Sequence, residues 1–339
     1  MKRNHLIDLL RFIAAVSVML YHQYVWLAFK PDNLYTNFFA TYGRLGVPVF
    51  FVISGYCIMI ALNHSRKPAG FIIRRFFRIF PPFWFSMALT LLVVLIGKLI
   101  YGTNSMVVLP KSPVEIFRAV TLLTSPITAQ KPINSVCWTL SLEAGFYIII
   151  FFCGLVKKSL FTPLLVIITA ITCIIPLPDQ GAGVILRFWP LFASGVAVFK
   201  LLHDGKNNRA INFLLLGLAL YAFYPTGQEA LFFISTLISI MLIVLSHYRP
   251  VKPNALSKLG DLSYAIYLIH IPLTVLLLNK FRDQPPLKGN GLLNFMADIV
   301  LVLLVTGFSK PVHRYIELPA INLGKKLSAG KAAGATKKS

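Results

Sequence analysis

The chain has 339 residues, of which 57% are hydrophobic and 13% charged, and its formal net charge is +22 at pH 7. Soluble proteins have about half apolar and a quarter charged residues, so this composition, with a mean hydropathy of +0.73, argues against a soluble domain. Taken with that hydropathy, the basic excess indicates a membrane protein rather than a nucleic-acid-binding protein.

Apolar runs between charged or proline- and glycine-rich breaks predict ten membrane-spanning helices. A bilayer core of about 30 Å needs roughly 20 apolar residues per helix. In chain order the predicted spans are residues 6–27, 43–62, 83–101, 135–155, 160–176, 185–202, 211–224, 229–246, 262–278 and 292–308. The seventh is short enough to be a half-span, and the connection between the third and fourth has room for an eleventh helix. We therefore predict an all-α, polytopic transmembrane helix bundle.

Lysine and arginine residues concentrate in alternate connections of this predicted bundle. With the N-terminus inside, the even-numbered connections and both tails hold 22 of them and the odd-numbered connections hold 10, while Arg11 lies within a span. By the positive-inside rule, both termini are predicted to be cytoplasmic. We expect residues 1–320 to form the transmembrane domain and the basic segment 321–339 to be a disordered cytoplasmic tail.

The first span carries two ionisable groups that a lipid-facing helix would not keep. Arg11 and His22 are eleven residues apart, close to three helical turns, so they share one face with about 16 Å between them along the axis. Such residues normally line a bundle interior or a water-filled cavity. His22 is a candidate general base, with a solvated helix-end histidine as the alternative. Arg11 is expected to pair with Asp8 or Glu143, or to steady a donor.

A basic cluster, "RRFFRIFPP", precedes the third span. Its residues Arg74, Arg75 and Arg78 are candidates for binding a phosphorylated ligand, because guanidinium groups form paired hydrogen bonds with phosphate. The alternative is a topogenic segment that contacts anionic lipid at the cytoplasmic surface.

Two further polar groups lie within predicted spans. Glu143, in the fourth span, would be costly in hydrocarbon unless it pairs with His22 or Arg11, and a purely structural Glu–Arg clamp is the competing interpretation. In the ninth span His270 shares a helical face with Tyr267, which fits either a core histidine bonded to a tyrosine or a substrate contact.

Other residue types indicate little additional chemistry. The four cysteines fall within predicted spans with no close pair, so neither a disulfide framework nor a metal site is expected. The segment "WLAFKPDNLYTNFF" is rich in aromatic residues, which are typical of membrane-interface anchors and also suit stacking on a sugar.

Six stretches carry motifs that can be recognised together. They are "IDLLRFIAAVSVMLYH", "GVPVFFVISGYCI", "RRFFRIFPPFW", "WTLSLEAGFYI", "LSYAIYLIHIPL" and "KPVHRYIELPA". In order and relative position they resemble the bacterial acyltransferase-3 family of integral-membrane O-acyltransferases. The resemblance extends from residue 7 to about residue 320.

The resemblance implies an activity and a location. Members transfer an acyl group, most often acetyl, from cytoplasmic acyl-CoA to a hydroxyl of an extracytoplasmic or membrane-linked glycan. The expected donor substrate is therefore acyl-CoA, above all acetyl-CoA, and the expected location is the bacterial inner membrane among its lipids. The chain shows no fused hydrolase-like domain of the kind found in some relatives, so we expect a stand-alone transferase.

Carried over by position, the family signatures fall on residues already singled out. The arginine and histidine signature falls on Arg11 and His22, and the Arg-x-x-Arg signature falls on Arg75 and Arg78. The acidic position of the fourth span looks like Glu143. On this interpretation His22, oriented by Glu143, deprotonates the acceptor, while the arginines bind the CoA phosphates.

The ninth-span signature looks like Tyr267 and His270, and with Trp138 of the fourth-span motif these are the expected substrate-binding residues. The chain departs from the family at one point. Many members carry two consecutive carboxylates where this chain has Glu143 followed by Ala144, which argues against a mechanism that needs both acids.

The alternative class is a transporter or flippase for an acylated or glycosylated lipid, which would also place charged groups along a buried path. The spans show no inverted-repeat pattern, and the polar residues gather in spans one, four and nine. This distribution favours the transferase.

Overall fold

A computed structural model describes residues 3–26, 33–65, 67–102, 107–223, 230–276 and 278–333 of the chain. The described residues contain helices and no β-strand. The α-helices are α1 (His5–Val25), α2 (Leu34–Tyr42), α3 (Gly46–Asn63), α4 (Pro68–Tyr101), α5 (Pro113–Val120), α6 (Trp138–Cys153), α7 (Lys158–Ile174), α8 (Val184–His203), α9 (Arg209–Ala222), α10 (Ala230–Tyr248), α11 (Ala255–Leu259), α12 (Ser263–His270), α13 (Asn279–Arg282), α14 (Gly291–Val312) and α15 (Leu318–Ala333). The all-α prediction is confirmed.

Eight helical segments in the described ranges are long and apolar enough to cross a membrane. They are His5–Val25, Leu34–Asn63, Pro68–Ile100, Ser135–Cys153, Val184–His203, Ala230–Tyr248, Ala255–Leu276 and Gly291–Ala329. The predicted fifth and seventh spans fall on the shorter helices α7 and α9, of 17 and 14 residues. The fold is thus a polytopic helix bundle, as predicted from the apolar runs.

The long connection before α6 contains one described α-helix, α5, which has only eight residues. It is too short to cross a bilayer, so the described part of this connection contains no eleventh span. The predicted end of the seventh span at Tyr224, the predicted start of the eighth at Glu229, and residues 27–32 of the aromatic segment lie outside the described residues.

Helices α3 and α8 cross closely at the centre of the bundle because each presents a glycine to the other. A Cβ atom added to Gly55 would lie 2.0 Å from the carbonyl oxygen of Phe192, and one added to Gly195 would lie 1.9 Å from that of Val52. Without water to drive association, membrane helices pack through small residues of this kind. The pair buries a core that includes Phe51 and other large apolar side chains.

Helix α4 begins well before the predicted third span, because Pro81 and Pro82 lie inside the helix rather than ending it. The basic cluster is therefore helical. Residues three or four apart on a helix share a face, so Arg78 is a neighbour of both Arg74 and Arg75 on α4.

The C-terminal segment departs from the disorder predicted for residues 321–339. Helix α15 continues to Ala333 and packs against α4, and residues 334–339 lie outside the described ranges. Small residues allow the close contact: a Cβ atom on Gly324 would lie 2.8 Å from the Cβ of Phe77, and the Ser328 hydroxyl accepts a hydrogen bond from Arg74 at 2.9 Å. The domain boundary at residue 320 stays a prediction.

Candidate active site

A cavity lies among α1, α3, α4, α6 and α12. Its lining includes five of the nine residues predicted from sequence to form the site: Arg11, Arg75, Arg78, Glu143 and Tyr267. We call it the arginine cavity. Residues up to 256 positions apart in sequence therefore meet at one place, as the resemblance implied for a single active site.

Glu143 is held by two hydroxyl groups inside the arginine cavity. Ser54 of α3 and Tyr147, one turn later on α6, donate hydrogen bonds to the same carboxylate oxygen at 2.6 and 2.5 Å. The guanidinium of Arg75 lies over the Tyr147 ring, 5.4 Å from its centroid. These contacts fix the carboxylate on the cavity wall. They differ from the prediction that Glu143 orients His22, because no hydrogen bond joins those two residues.

The cavity carries more positive than negative charge. Arg11, Arg75 and Arg78 make no ion pair within 4 Å in the described part of the chain, and the Nε atom of Arg75 is buried without a hydrogen-bond partner. Glu143 is the one carboxylate among the lining residues. Asp8, a predicted partner of Arg11, instead pairs with Arg3 at 2.6 Å. Uncompensated guanidinium groups in an enclosed site indicate a place for an anion.

Arg74 does not join the other two arginines of its cluster. Its Nε donates to the hydroxyl of Ser328 on α15 at 2.9 Å, and its Nη2 reaches the carbonyl of His64 at 3.4 Å. Arg74 therefore does not line the arginine cavity, and its contact with Ser328 holds it towards the C-terminal helix. A role of Arg74 in binding a phosphorylated ligand stays a prediction.

His22 and His270 form a pair that the sequence did not link. The Nδ1 atom of His22 lies 3.2 Å from Nε2 of His270, and the ring centroids are 5.2 Å apart. His270 is fully buried, whereas His22 is partly exposed. Neither lines the arginine cavity, but Tyr267, which does, lies beside His270 with ring centroids 5.8 Å apart.

Backbone contacts decide which nitrogen of each histidine carries the hydrogen. The Nδ1 atom of His22 is 2.9 Å from the carbonyl oxygen of Val18, and Nδ1 of His270 is 3.2 Å from that of Ile266. Because a carbonyl only accepts, both Nδ1 atoms carry hydrogen when the rings are neutral. His270 Nε2 is then a second, more distant acceptor of the His22 Nδ1–H, which it shares with the Val18 carbonyl. The lone pair of His22 is consequently on Nε2, which has no hydrogen-bond partner among the described residues.

A buried polar network fixes the end of α1 next to His22, and sequence analysis missed its central residue. Arg282 lies in the predicted connection between the ninth and tenth spans. In the structure it is 3% exposed and pairs with Asp298 at 2.9 Å. It also donates to Asn294 at 2.9 Å and to Gln23 at 3.3 Å. The only sequence signal was Asp298 inside an apolar span, which requires a partner cation.

A second cavity is lined by Trp26 and Trp138, and we call it the tryptophan cavity. Trp138 was predicted to contact substrate together with Tyr267 and His270. It lies in this cavity, while the next residue, Thr139, lines the arginine cavity and hydrogen-bonds the Tyr267 hydroxyl at 2.8 Å. Of the nine predicted residues, five thus line the arginine cavity and Trp138 lines the tryptophan cavity, whereas His22, His270 and Arg74 line neither. Within the described residues no group of three or more His, Cys, Asp or Glu is placed to hold a metal ion.

The sequence was compared with known proteins. A family model described as an acyltransferase domain matches residues 4–310. The chain is 28% identical over 293 residues to the acetyltransferase candidate ORF330 of Acidianus two-tailed virus, covering 79% of this chain and 82% of the relative. It is 25% identical over 299 residues to an O-acetyl transferase of Shigella phage Sf6, covering 83% of this chain and 88% of the relative. It is 31% identical over 153 residues to nodulation protein 10 of Rhizobium leguminosarum bv. viciae, covering 42% of this chain and 41% of the relative. No solved structure matches it.

Proposed function

Because the chain belongs to the acyltransferase family and is a membrane O-acyltransferase, we propose that it moves an acetyl group from acetyl-CoA, held in the arginine cavity, to a hydroxyl of a glycan. The acetyl group is chosen because two of the relatives carry acetyltransferase in their names. The bacterial inner membrane, with the glycan on its outer side, is part of the proposal.

The assignment of acetyl-CoA as the donor rests on the positive charge of the arginine cavity. Three guanidinium groups face one carboxylate, and none of the three makes an ion pair with a described residue. The diphosphate of CoA supplies charge of the required sign, and arginine binds phosphate through paired hydrogen bonds. The hydroxyl of Ser263, also on the cavity wall, is fully buried without a partner, so it can bond a polar group of the pantetheine arm.

His22 is the base in the proposed reaction. Its Nε2 lone pair accepts the proton of the acceptor hydroxyl while the hydroxyl oxygen forms a bond to the thioester carbonyl carbon. The C–S bond then breaks, and the CoA thiolate receives a proton and leaves as the free thiol. His270 Nε2 accepts the hydrogen bond from His22 Nδ1–H, so the imidazolium formed on the way keeps an acceptor within 3.2 Å.

The proposal is tested with protein purified in detergent and reconstituted in vesicles. We expect acetyl-CoA to release free CoA thiol when a glycan fraction is present, with a labelled acetyl group appearing on the glycan. Movement of unmodified glycan across the vesicle membrane without thiol release would instead indicate the transporter alternative.

Variants of the basic cluster test the donor site, because the structure separates its members. Replacing Arg75 or Arg78 with alanine should weaken acetyl-CoA binding by about tenfold to a hundredfold, since a charge-assisted hydrogen bond contributes roughly 1.5–3 kcal/mol. Arg74→Ala is the matched control and should leave the dissociation constant unchanged, because its guanidinium faces Ser328. Titration of acetyl-CoA into each purified variant measures the effect. If all three variants bind acetyl-CoA with the wild-type affinity, the cluster is instead a segment that contacts lipid at the membrane surface.

A further inference from the structure

Two residues that line the tryptophan cavity each have a side-chain oxygen without a hydrogen-bond partner. Oδ1 of Asn279 and Oδ1 of Asp283 are both buried and unpaired, and Asn279 as a whole is only 6% exposed. Buried acceptors of this kind are rare, because leaving one without a donor costs free energy. Both oxygens are acceptors, so a molecule in the cavity that bonds them must bring hydrogen-bond donors.

The other residues that line the tryptophan cavity indicate which class of ligand it can bind. Trp26 and Trp138 supply two indole rings, while Lys98 and Lys131 supply cations. Large aromatic faces combined with a few polar groups are typical of sites for organic ligands. A calcium ion needs six or more oxygen ligands, whereas this wall offers two unpaired oxygens beside two lysines. A ring that bears several hydroxyl groups provides both the donors and an apolar face to pack on indole.

Two helices carry the histidine pair between residues of the two cavities. Along α1 the order is Arg11 in the arginine cavity, then His22, and Trp26 of the tryptophan cavity follows directly after the helix. In α12 Tyr267 lines the first cavity, and Ile271, next to His270, lines the second. Along both helices the histidine therefore lies between a residue of the arginine cavity and a residue of the tryptophan cavity.

We propose that the tryptophan cavity is the acceptor site and that it binds a polyhydroxylated ring. Asn279 and Asp283 accept hydrogen bonds from hydroxyl groups that do not react, the tryptophan rings pack on the ring face, and the reacting hydroxyl is directed at His22. This inference rests on the proposed acetyl transfer and names the part of the protein that selects its acceptor.

The test measures initial rates of acetyl transfer by reconstituted protein, with acetyl-CoA as donor. The acceptor probe is the glycan fraction extracted from cells that lack the gene. Asn279→Leu should raise the acceptor KM by about threefold to tenfold, and Asp283→Leu by about tenfold or more, because a lost bond to a charged group costs more. Asp283→Asn keeps an acceptor oxygen, so its KM should rise less than that of Asp283→Leu. Trp138→Phe should likewise retain more acceptor affinity than Trp138→Leu.

Acetyl-CoA binding by the same variants distinguishes the acceptor-site proposal from the proposed acetyl transfer itself. The dissociation constant for acetyl-CoA should not change in any of them, because none of these residues lines the arginine cavity. If the wild-type protein transfers no acetyl group to the glycan fraction, the proposed function itself fails. If the wild type is active and both leucine variants keep the wild-type acceptor KM, the tryptophan cavity is not the acceptor site. Equal rises for Asp283→Asn and Asp283→Leu would also overturn the assignment, because hydroxyl recognition requires the oxygen.

Discussion

In the proposed reaction the acid–base chemistry depends on the free nitrogen of His22. Carbonyl groups of the preceding helical turns occupy Nδ1 of both His22 and His270, which leaves His22 Nε2 as the unprotonated atom. A general base needs such an atom within reach of the acceptor proton. The arrangement resembles the familiar case in which one group fixes the tautomer of a catalytic histidine, with a second imidazole in place of a carboxylate.

His22→Ala tests the base directly. We expect transfer to fall by a factor on the order of 10² to 10⁴, while acetyl-CoA binding and the melting temperature change little, because a base is lost without much packing. His64→Ala serves as the control, since His64 is exposed at the end of α3 and its ring bonds only the carbonyl of Ile60. Turnover near the wild-type value in His22→Ala at neutral pH would make His270 the next candidate base.

His270 is predicted to act through His22 rather than on the substrate. His270→Leu removes one of the two acceptors of His22 Nδ1–H and leaves the closer Val18 carbonyl as the other. It should lower kcat by up to about tenfold, the equivalent of one hydrogen bond, with the donor dissociation constant unchanged. His270→Gln places an amide near the position of Nε2 and should restore much of the loss. Because both variants remove the buried ring, an equal loss of kcat in the two would assign His270 a packing role instead.

At the scale of elements, hydropathy and periodicity identified the helices correctly but not the contacts between them. Apolar runs are local, so most spans could be located from them, although α4 begins well before the predicted third span and the last crossing segment extends to Ala329. The pairing of His22 with His270 joins positions 248 apart and depends on how α1 and α12 pack. The burial of Arg282 depends on Asp298, 16 residues later on another helix. No local pattern encodes such pairs.

The contacts of Arg74 depend on tertiary packing and not on the helical repeat. Once α4 is extended back through Pro81 and Pro82, Arg74 shares a face with Arg78, four residues later, and only its hydrogen bond to Ser328 of α15 sets it apart. The proline pair was interpreted as a break because proline removes a backbone donor and usually ends a helix. Membrane helices tolerate it when neighbouring helices satisfy the freed groups.

The crossing of α3 and α8 gives a prediction about stability. Gly195→Ala and Gly55→Ala each place a methyl group within 2.0 Å of a backbone carbonyl, so the helices must separate. Overpacking of this kind typically costs about 1–3 kcal/mol, and we expect a lower melting temperature in detergent. Gly217→Ala on α9 is the matched control, because a Cβ atom there meets nothing within 4 Å. Identical melting of all three variants would mean that the crossing does not depend on glycine.

For the whole molecule, the two cavities give the reaction a direction. The arginine cavity is built from the first half of α1 and the first third of α4, whereas the tryptophan cavity is built from the opposite ends of the same helices. In the proposed reaction, a donor bound among the arginines and an acceptor bound among the tryptophans meet at the histidine pair. The sidedness of the bundle therefore decides from which compartment each substrate comes.

That sidedness is predicted from charge: the 22 basic residues of the tails and even-numbered connections, against 10 in the odd-numbered ones, place both termini in the cytoplasm. A single cysteine tests it in a background from which the four native cysteines, all free, have been removed. Lys111→Cys, exposed between α4 and α5, should react with a membrane-impermeant maleimide in intact spheroplasts. Lys206→Cys, exposed between α8 and α9, should react only after the inner membrane is permeabilised. The reverse labelling pattern would mean that the orientation in the membrane is inverted. The arginine cavity would then lie towards the outer face, where cytoplasmic acetyl-CoA cannot reach it.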